Sequence, residues 1–217
     1  MPKATRKSPL APRKAPVQRR SAVTVDAMIE AAARILETEG FDGYTTNAVA
    51  ARAGVSIGSL YQYFPNRDAL TAALIERETG FLLAHIGRAA QAQSANDAIE
   101  CLIDAAVTHQ MQRPALARLI DFEERRLPLG ERNQRLADIL HGVIVAALKR
   151  ADAPKVAHRA EAAHDVLAIV KGMIDWAGER GELNARALKK RVSRAVFGYL
   201  TGAPPQRRRT AAARTAR

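Results

Sequence analysis

Apolar residues recur every three or four positions along nearly the whole chain, the period of an amphipathic α-helix. Val25, Met28, Ile29, Ala32, Ile35 and Leu36 mark a first helix over about 24–39. Gly40 can end it as the glycine just past the last turn, with Phe41 folding back on the helix. Two short helices follow at about 46–53 and 57–63, and Pro65 closes the second. Asn66 is positioned to cap a fourth helix reaching about Gln91.

The same punctuation continues downstream. Ser94 and Asp97 form a capping box that opens a fifth helix, and Pro114 stops it while suiting the first turn of a sixth. Pro128 and Gly130 end the sixth, and a seventh is expected over about 131–150. Pro154 is expected to open an eighth helix that Gly181 terminates. Asn184 caps a ninth, which Gly202 ends. The pattern predicts an all-α fold of nine helices with no strand and no internal repeat. It divides into a helix-turn-helix domain at 21–65 and a larger helical domain at 66–202.

Charge sharpens this picture at the two ends. The net charge is +12, and residues 1–20 and 203–217 together carry twelve basic side chains and no acidic one. The body between them is balanced. Tails of Pro, Ala, Thr and Arg cannot build a core, so 1–20 and 203–217 are expected to be disordered basic arms. Such arms suit a polyanion such as nucleic acid, although a solubilising role would look the same. The lone cysteine, Cys101, gives neither a disulfide framework nor metal-site spacing. His85, His109, His141, His158 and His164 include no pair spaced for a helical metal site. No phosphate loop or nucleophile elbow appears, so neither an enzyme nor a cofactor is expected. Asp121, Glu123 and Glu124, followed by Arg125 and Arg126, look like a self-compensating solvated face. No apolar run approaches the ~18 residues of a membrane span, and the location expected is cytoplasmic, on the nucleoid when DNA is bound.

The stretch from Thr45 to Phe64 carries the function. Thr45 or Thr46 caps its first helix, and Val49, Ala50 and Ala53 form that helix's apolar side. Gly54 supplies the turn, Val55 plugs the gap between the helices, and Ser56 caps the second. Leu60 and Phe64 face the core. Two short helices joined by a glycine-containing turn make a helix-turn-helix. On the outer side of the second helix, Ser56, Ile57, Gly58 and Ser59 are small or uncharged enough to sink into a major groove, with Gln62 able to read base edges. Tyr61, Tyr63 and Arg67 can hold phosphates, as can the free helix N-terminal amides, and Thr46 is counted with the DNA-binding residues.

These residues closely resemble the tetracycline-repressor (TetR) family of bacterial regulators. The matching series runs from Gly40-Phe41 through Thr45-Thr46, Val49-Ala50, Ala53-Gly54-Val55-Ser56 and Gly58-Ser59-Leu60-Tyr61-Gln62-Tyr63-Phe64 to Arg67-Asp68-Ala69-Leu70. It covers about residues 22–72. Arg67 stands where the family usually has lysine, and Ile57 where polar or basic readers are frequent. The resemblance implies a homodimeric, ligand-responsive repressor binding a pseudo-palindromic operator on double-stranded DNA. Dimerisation through the last two helices, at about 155–180 and 185–201, also follows from it, although an intramolecular bundle would show the same apolar faces. It further implies a small hydrophobic or aromatic effector among helices four to eight, where Phe81, His85, His109, Phe122, His141 and Trp176 are candidate contacts. A sequence-independent architectural protein of the nucleoid, gripping DNA through its tails, is the other reading.

Overall fold

The computed structural model describes Leu10 and residues 19–202. Most of the N-terminal arm and all of the C-terminal one therefore lie outside the described residues. Nine α-helices and one 3₁₀ helix follow in order among those described: α1 (Arg19–Gly43), α2 (Thr46–Arg52), α3 (Ile57–Tyr63), α4 (Arg67–Ile86), the 3₁₀ helix (Gly87–Gln91), α5 (Ala95–Gln112), α6 (Pro114–Arg126), α7 (Gly130–Leu148), α8 (Arg159–Glu179) and α9 (Ala185–Thr201).

Side-chain caps set most of the starts. The Thr45, Ser56, Asn66, Ser94 and Asn184 oxygens accept from the backbone N–H three residues on, satisfying donors that a helix start leaves open. Pro114 occupies the first turn of α6, where its missing N–H costs nothing. Gly40 breaks the end of α1 with φ 65°, and Phe41 beyond it packs on the Phe122 ring at 5.4 Å.

Three boundaries differ from the sequence expectation. α1 starts at Arg19, inside the segment expected to be an arm. α4 stops at Ile86, and the next five residues tighten into the 3₁₀ helix, because Gly87 weakens the α-helix while Ile86 and Ala89 still need burial. α8 begins at Arg159 rather than Pro154. In the intervening loop Val156 packs against the core, and the Arg159 side chain reaches back to the Leu148 carbonyl at 3.0 Å.

The buried side chains form two clusters. One joins α1–α3 and the first half of α4 to Leu116 and Ile120 of α6 and to Leu127 and Leu129 beyond it. The other lies among α5, α7, α8 and α9. α4 and α6 thus run from the head into the bundle. Ion pairs reinforce this join. Arg113, at the start of α6, binds Glu37 and Glu30 of α1, while Arg77 of α4 bridges Glu30 at 3.0 Å and Glu78 at 2.7 Å. At the other end of α6, Arg126 binds Glu123 at 2.6 Å and Asp68 of α4 at 2.5 Å. Among the described residues no helix is long and apolar enough to cross a membrane.

Candidate nucleic-acid interface and effector cavity

α2 and α3 are held at a fixed angle by their turn. Gly54 takes φ 69°, a left-handed conformation that a side chain would disfavour, and the Val55 N–H donates to the Ala50 carbonyl at 3.0 Å. Leu60 and Phe64 are fully buried beneath α3. That fixes the opposite side of α3 outward: Ile57, Gly58, Tyr61 and Gln62 are exposed, and Ser59 is half-buried. The Ser56 hydroxyl both caps Ser59 and contacts its hydroxyl at 2.8 Å. Thr46, at the first turn of α2, shares a 3.1 Å hydrogen bond with the Tyr61 hydroxyl, which brings two candidate DNA-binding residues together. Tyr63 is half-buried, resting in part on the first cluster.

Arg67 projects from the first turn of α4. Its guanidinium donates to the Tyr44 carbonyl at 3.4 Å and lies 5.8 Å from the centre of the Tyr44 ring. Tyr44 is fully buried, its hydroxyl 3.0 Å from that of Thr71, and burial pushes the phenol up to about 12. The sequence reasoning did not single out this anchor. Its signal was present: an apolar residue just before the Thr45 cap, matched by Val49 four residues after it, is a hydrophobic staple.

Behind the head, α4, α5, α6, α7 and α8 line a partly open cavity of about 170 Å³. Leu82, Ile86, Leu102, Leu140, Leu167 and Ile174 make its walls mostly apolar, and Glu78, His109, Gln110, Asp121 and Lys171 are among the polar groups that interrupt them. Burial holds the His109 imidazole below its usual value. The remaining effector candidates sit elsewhere. Phe81, Phe122 and Trp176 are half or more exposed. His85 donates through Nδ1 to the Phe81 carbonyl of its own helix at 2.8 Å. His141 stacks on His164 with centroids 4.1 Å apart and donates through Nε2 to the Ala160 carbonyl at 3.0 Å. A second opening, an apolar groove of about 490 Å³, lies between α4, α5 and α7 near Leu83, Ala98, Ile139 and Val143.

Comparison with known proteins agrees with this geometry. The family model for bacterial regulatory proteins of the tetR family matches residues 28–74, and that for the tetracyclin repressor-like C-terminal domain matches residues 95–200. The nucleoid occlusion factor SlmA of Marinomonas sp. is 30% identical over 156 residues, covering 68% of this chain and 79% of that protein. Its counterpart in Glaesserella parasuis is 28% identical over 82 residues, which is 38% of this chain. An uncharacterized HTH-type transcriptional regulator of Mycobacterium tuberculosis is 30% identical over 136 residues, or 60% of this chain. The chain spans only 41% of the Glaesserella protein's length and 64% of the Mycobacterium protein's. Among solved structures, the fatty acid degradation regulator FadR of Bacillus halodurans superposes with a TM-score of 0.66 at 18% identity, over 81% of this chain and 95% of that one. A TetR-family regulator of Streptomyces coelicolor gives 0.62 at 21% identity, over 82% and 97%. The chain belongs to the TetR family of bacterial regulatory proteins, and is a DNA-binding transcriptional regulator rather than an enzyme.

Proposed function

We propose that this regulator is a ligand-responsive repressor that binds a pseudo-palindromic operator as a homodimer. One observation carries the reading: α4 contributes Arg67 at the head and Glu78, Thr79, Leu82 and Ile86 at the wall of the cavity. A small hydrophobic or aromatic molecule lodged there tilts α4 and changes the spacing of the two recognition helices. Thr46, Ser56, Ile57, Gly58, Ser59, Tyr61, Gln62, Tyr63 and Arg67 form the DNA-facing set. The partner copy packs on α8 and α9, where Trp176 is 60% exposed and Tyr199 43%.

Selection of protein-bound DNA from random sequence tests this directly. The expected product is a two-fold-related site whose halves lie about 34–36 Å apart. Tyr61→Phe and Arg67→Ala weaken binding to every sequence, whereas Ser59→Ala and Gln62→Ala change which bases are preferred. Selected DNA without a palindromic consensus would overturn the operator reading. A second reading has support in the nucleoid occlusion factors among the relatives and in the twelve basic residues of the two tails. It predicts flat affinity across sequences, with salt dependence carried by the tails.

A further inference from the structure

The cavity has four carboxylates on its wall, from Glu78, Asp121, Glu124 and Asp175, against one ammonium, that of Lys171. Three of the four already have a cation. Glu78 binds Arg77 at 2.7 Å, Glu124 binds Arg132 at 3.3 Å, and Asp175 binds Lys171 at 2.9 Å. Asp121, half-buried on α6, has neither a hydrogen bond nor a cation within ion-pair distance among the described residues. Gln110 is also unsatisfied. It is 4% exposed, lines the same cavity, and its amide Nε2 has no hydrogen-bond partner. Gln110 Nε2 lost water on folding without gaining a protein partner, a costly state for a buried polar group, whereas the half-buried Asp121 carboxylate is partly desolvated and has no cation at ion-pair distance. What this wall lacks is a cation at ion-pair distance from Asp121; the Gln110 amide nitrogen lies against Gly178 of α8.

We propose that the effector is an organic cation with a compact apolar or aromatic body, and that Asp121 is its counter-ion. The inference rests on reading this cavity as the effector site. An anion would face four carboxylates, and the one ammonium available to it is engaged by Asp175. A neutral apolar ligand would leave Asp121 as it is, and a neutral donor would hydrogen-bond it without offsetting the charge of the four carboxylates. A bare metal ion does not fit either, since no group of three or more metal-ligating side chains occurs among the described residues. The volume matches one ring with a small ammonium head, being close to that of a cavity of ~150 Å³ that accepts benzene.

Titration of the site follows from its neighbours. Burial, then the charges of Asp175 and Glu124, push the Asp121 carboxyl up to about 6, while Lys171 and Arg125 pull it down. Burial disfavours the charged form of His109, which weakens its repulsion of a cation. A permanently charged ligand therefore competes with a proton for Asp121. Its affinity is full above pH 7, falls as the pH drops through about 6, and levels off once Asp121 is protonated.

Equilibrium dialysis of the full-length protein against three matched probes tests this: benzyltrimethylammonium, its uncharged isostere neopentylbenzene, and the anion 2,2-dimethyl-3-phenylpropanoate. At pH 8 the cation should bind at least tenfold tighter than the isostere and the anion weakest. In Asp121→Asn the preference should shrink to about twofold, and the pH dependence below 6 should vanish. Lys171→Met gives an arm that leaves Asp121 in place and should strengthen cation binding several-fold. Equal affinities for cation and isostere, tighter binding of the anion, retention of the preference in Asp121→Asn, or no saturable binding of the cation would overturn the proposal. Operator affinity measured with and without bound cation addresses the repressor reading separately. A cation that binds through Asp121 yet leaves operator affinity unchanged supports the site and overturns its regulatory role.

Discussion

Tyr44 connects the head to the helix behind it through three contacts of different kinds. Its hydroxyl meets Thr71, its carbonyl accepts from Arg67, and its ring lies beneath the Arg67 guanidinium. Tyr44→Phe deletes only the first. Thr71 keeps its bond to the Arg67 carbonyl at 3.0 Å, so the expected cost is about 1 kcal/mol of stability, read by urea unfolding. A loss above about 3 kcal/mol would mean that the hydroxyl supports a wider network. Asp121 gives a second prediction at this scale, with its sign fixed by burial. Because its folded-state pKa is raised to about 6 from 3.8, the native state holds the proton more tightly than the unfolded chain does. That contribution is fully present below pH 3.8 and is lost as pH rises through about 6. Asp121→Asn should therefore stabilise the ligand-free protein more at pH 7 than at pH 4, and an equal change at both would contradict it.

Among the elements, the turn between α2 and α3 has the sharpest requirement. A Cβ added at Gly54 meets nothing within 4 Å, so Gly54→Ala is a purely conformational test of φ 69°. The expected cost is about 1–2 kcal/mol, with the fold retained. A neutral substitution would mean that the turn relaxes to an ordinary conformation. Elements of this kind were legible in the sequence, because caps and breakers act locally: Thr45, Ser56, Asn66, Ser94, Pro114 and Asn184 each start a helix where their chemistry places them. The start of α8 was not legible. Pro154 permits a helix start but does not require one, and the start was set by Val156 packing on the bundle core and Arg159 reaching back to the end of α7. The cavity wall was hidden for the same reason. Ala117, Ile120, Asp121 and Glu124 follow the helical period, but periodicity alone does not say that one face of α6 meets the head while another meets the cavity. Asp121, Glu123, Glu124, Arg125 and Arg126, read as a solvated face, are split by folding. Glu123 is buried against Arg126, Asp121 and Glu124 line the cavity, and Arg125 stays outside.

Across the whole molecule, α6 is the element fastened both to the cavity and to the head, the two ends of the proposed switch. Ala117, Ile120, Asp121 and Glu124 give it one wall of the cavity, and Leu116 and Ile120 place it in the core of the head. Arg113 ties its start to Glu30 and Glu37 of α1, and Arg126 ties its end to Asp68, one residue after Arg67. A ligand that displaces α6 therefore pulls on α1 and on the base of α4 together. It can do so only if it binds the two arrangements with different affinity. A coupling of about 1–3 kcal/mol corresponds to roughly a 5–150-fold change in DNA affinity, and operator DNA must weaken ligand binding by the same factor. Arg113→Met cuts one of the two ties while leaving the cavity wall and the DNA-facing residues in place. The ion pairs are partly exposed, so the loss of stability should stay near 1 kcal/mol. The ligand's effect on operator affinity should fall well below its wild-type value, while ligand binding to the free protein changes little. Titrating ligand into free protein and into the operator complex, for both proteins, gives all four affinities and closes the cycle. If Arg113→Met leaves the coupling intact, the signal runs through α4 and the Arg126–Asp68 contact alone.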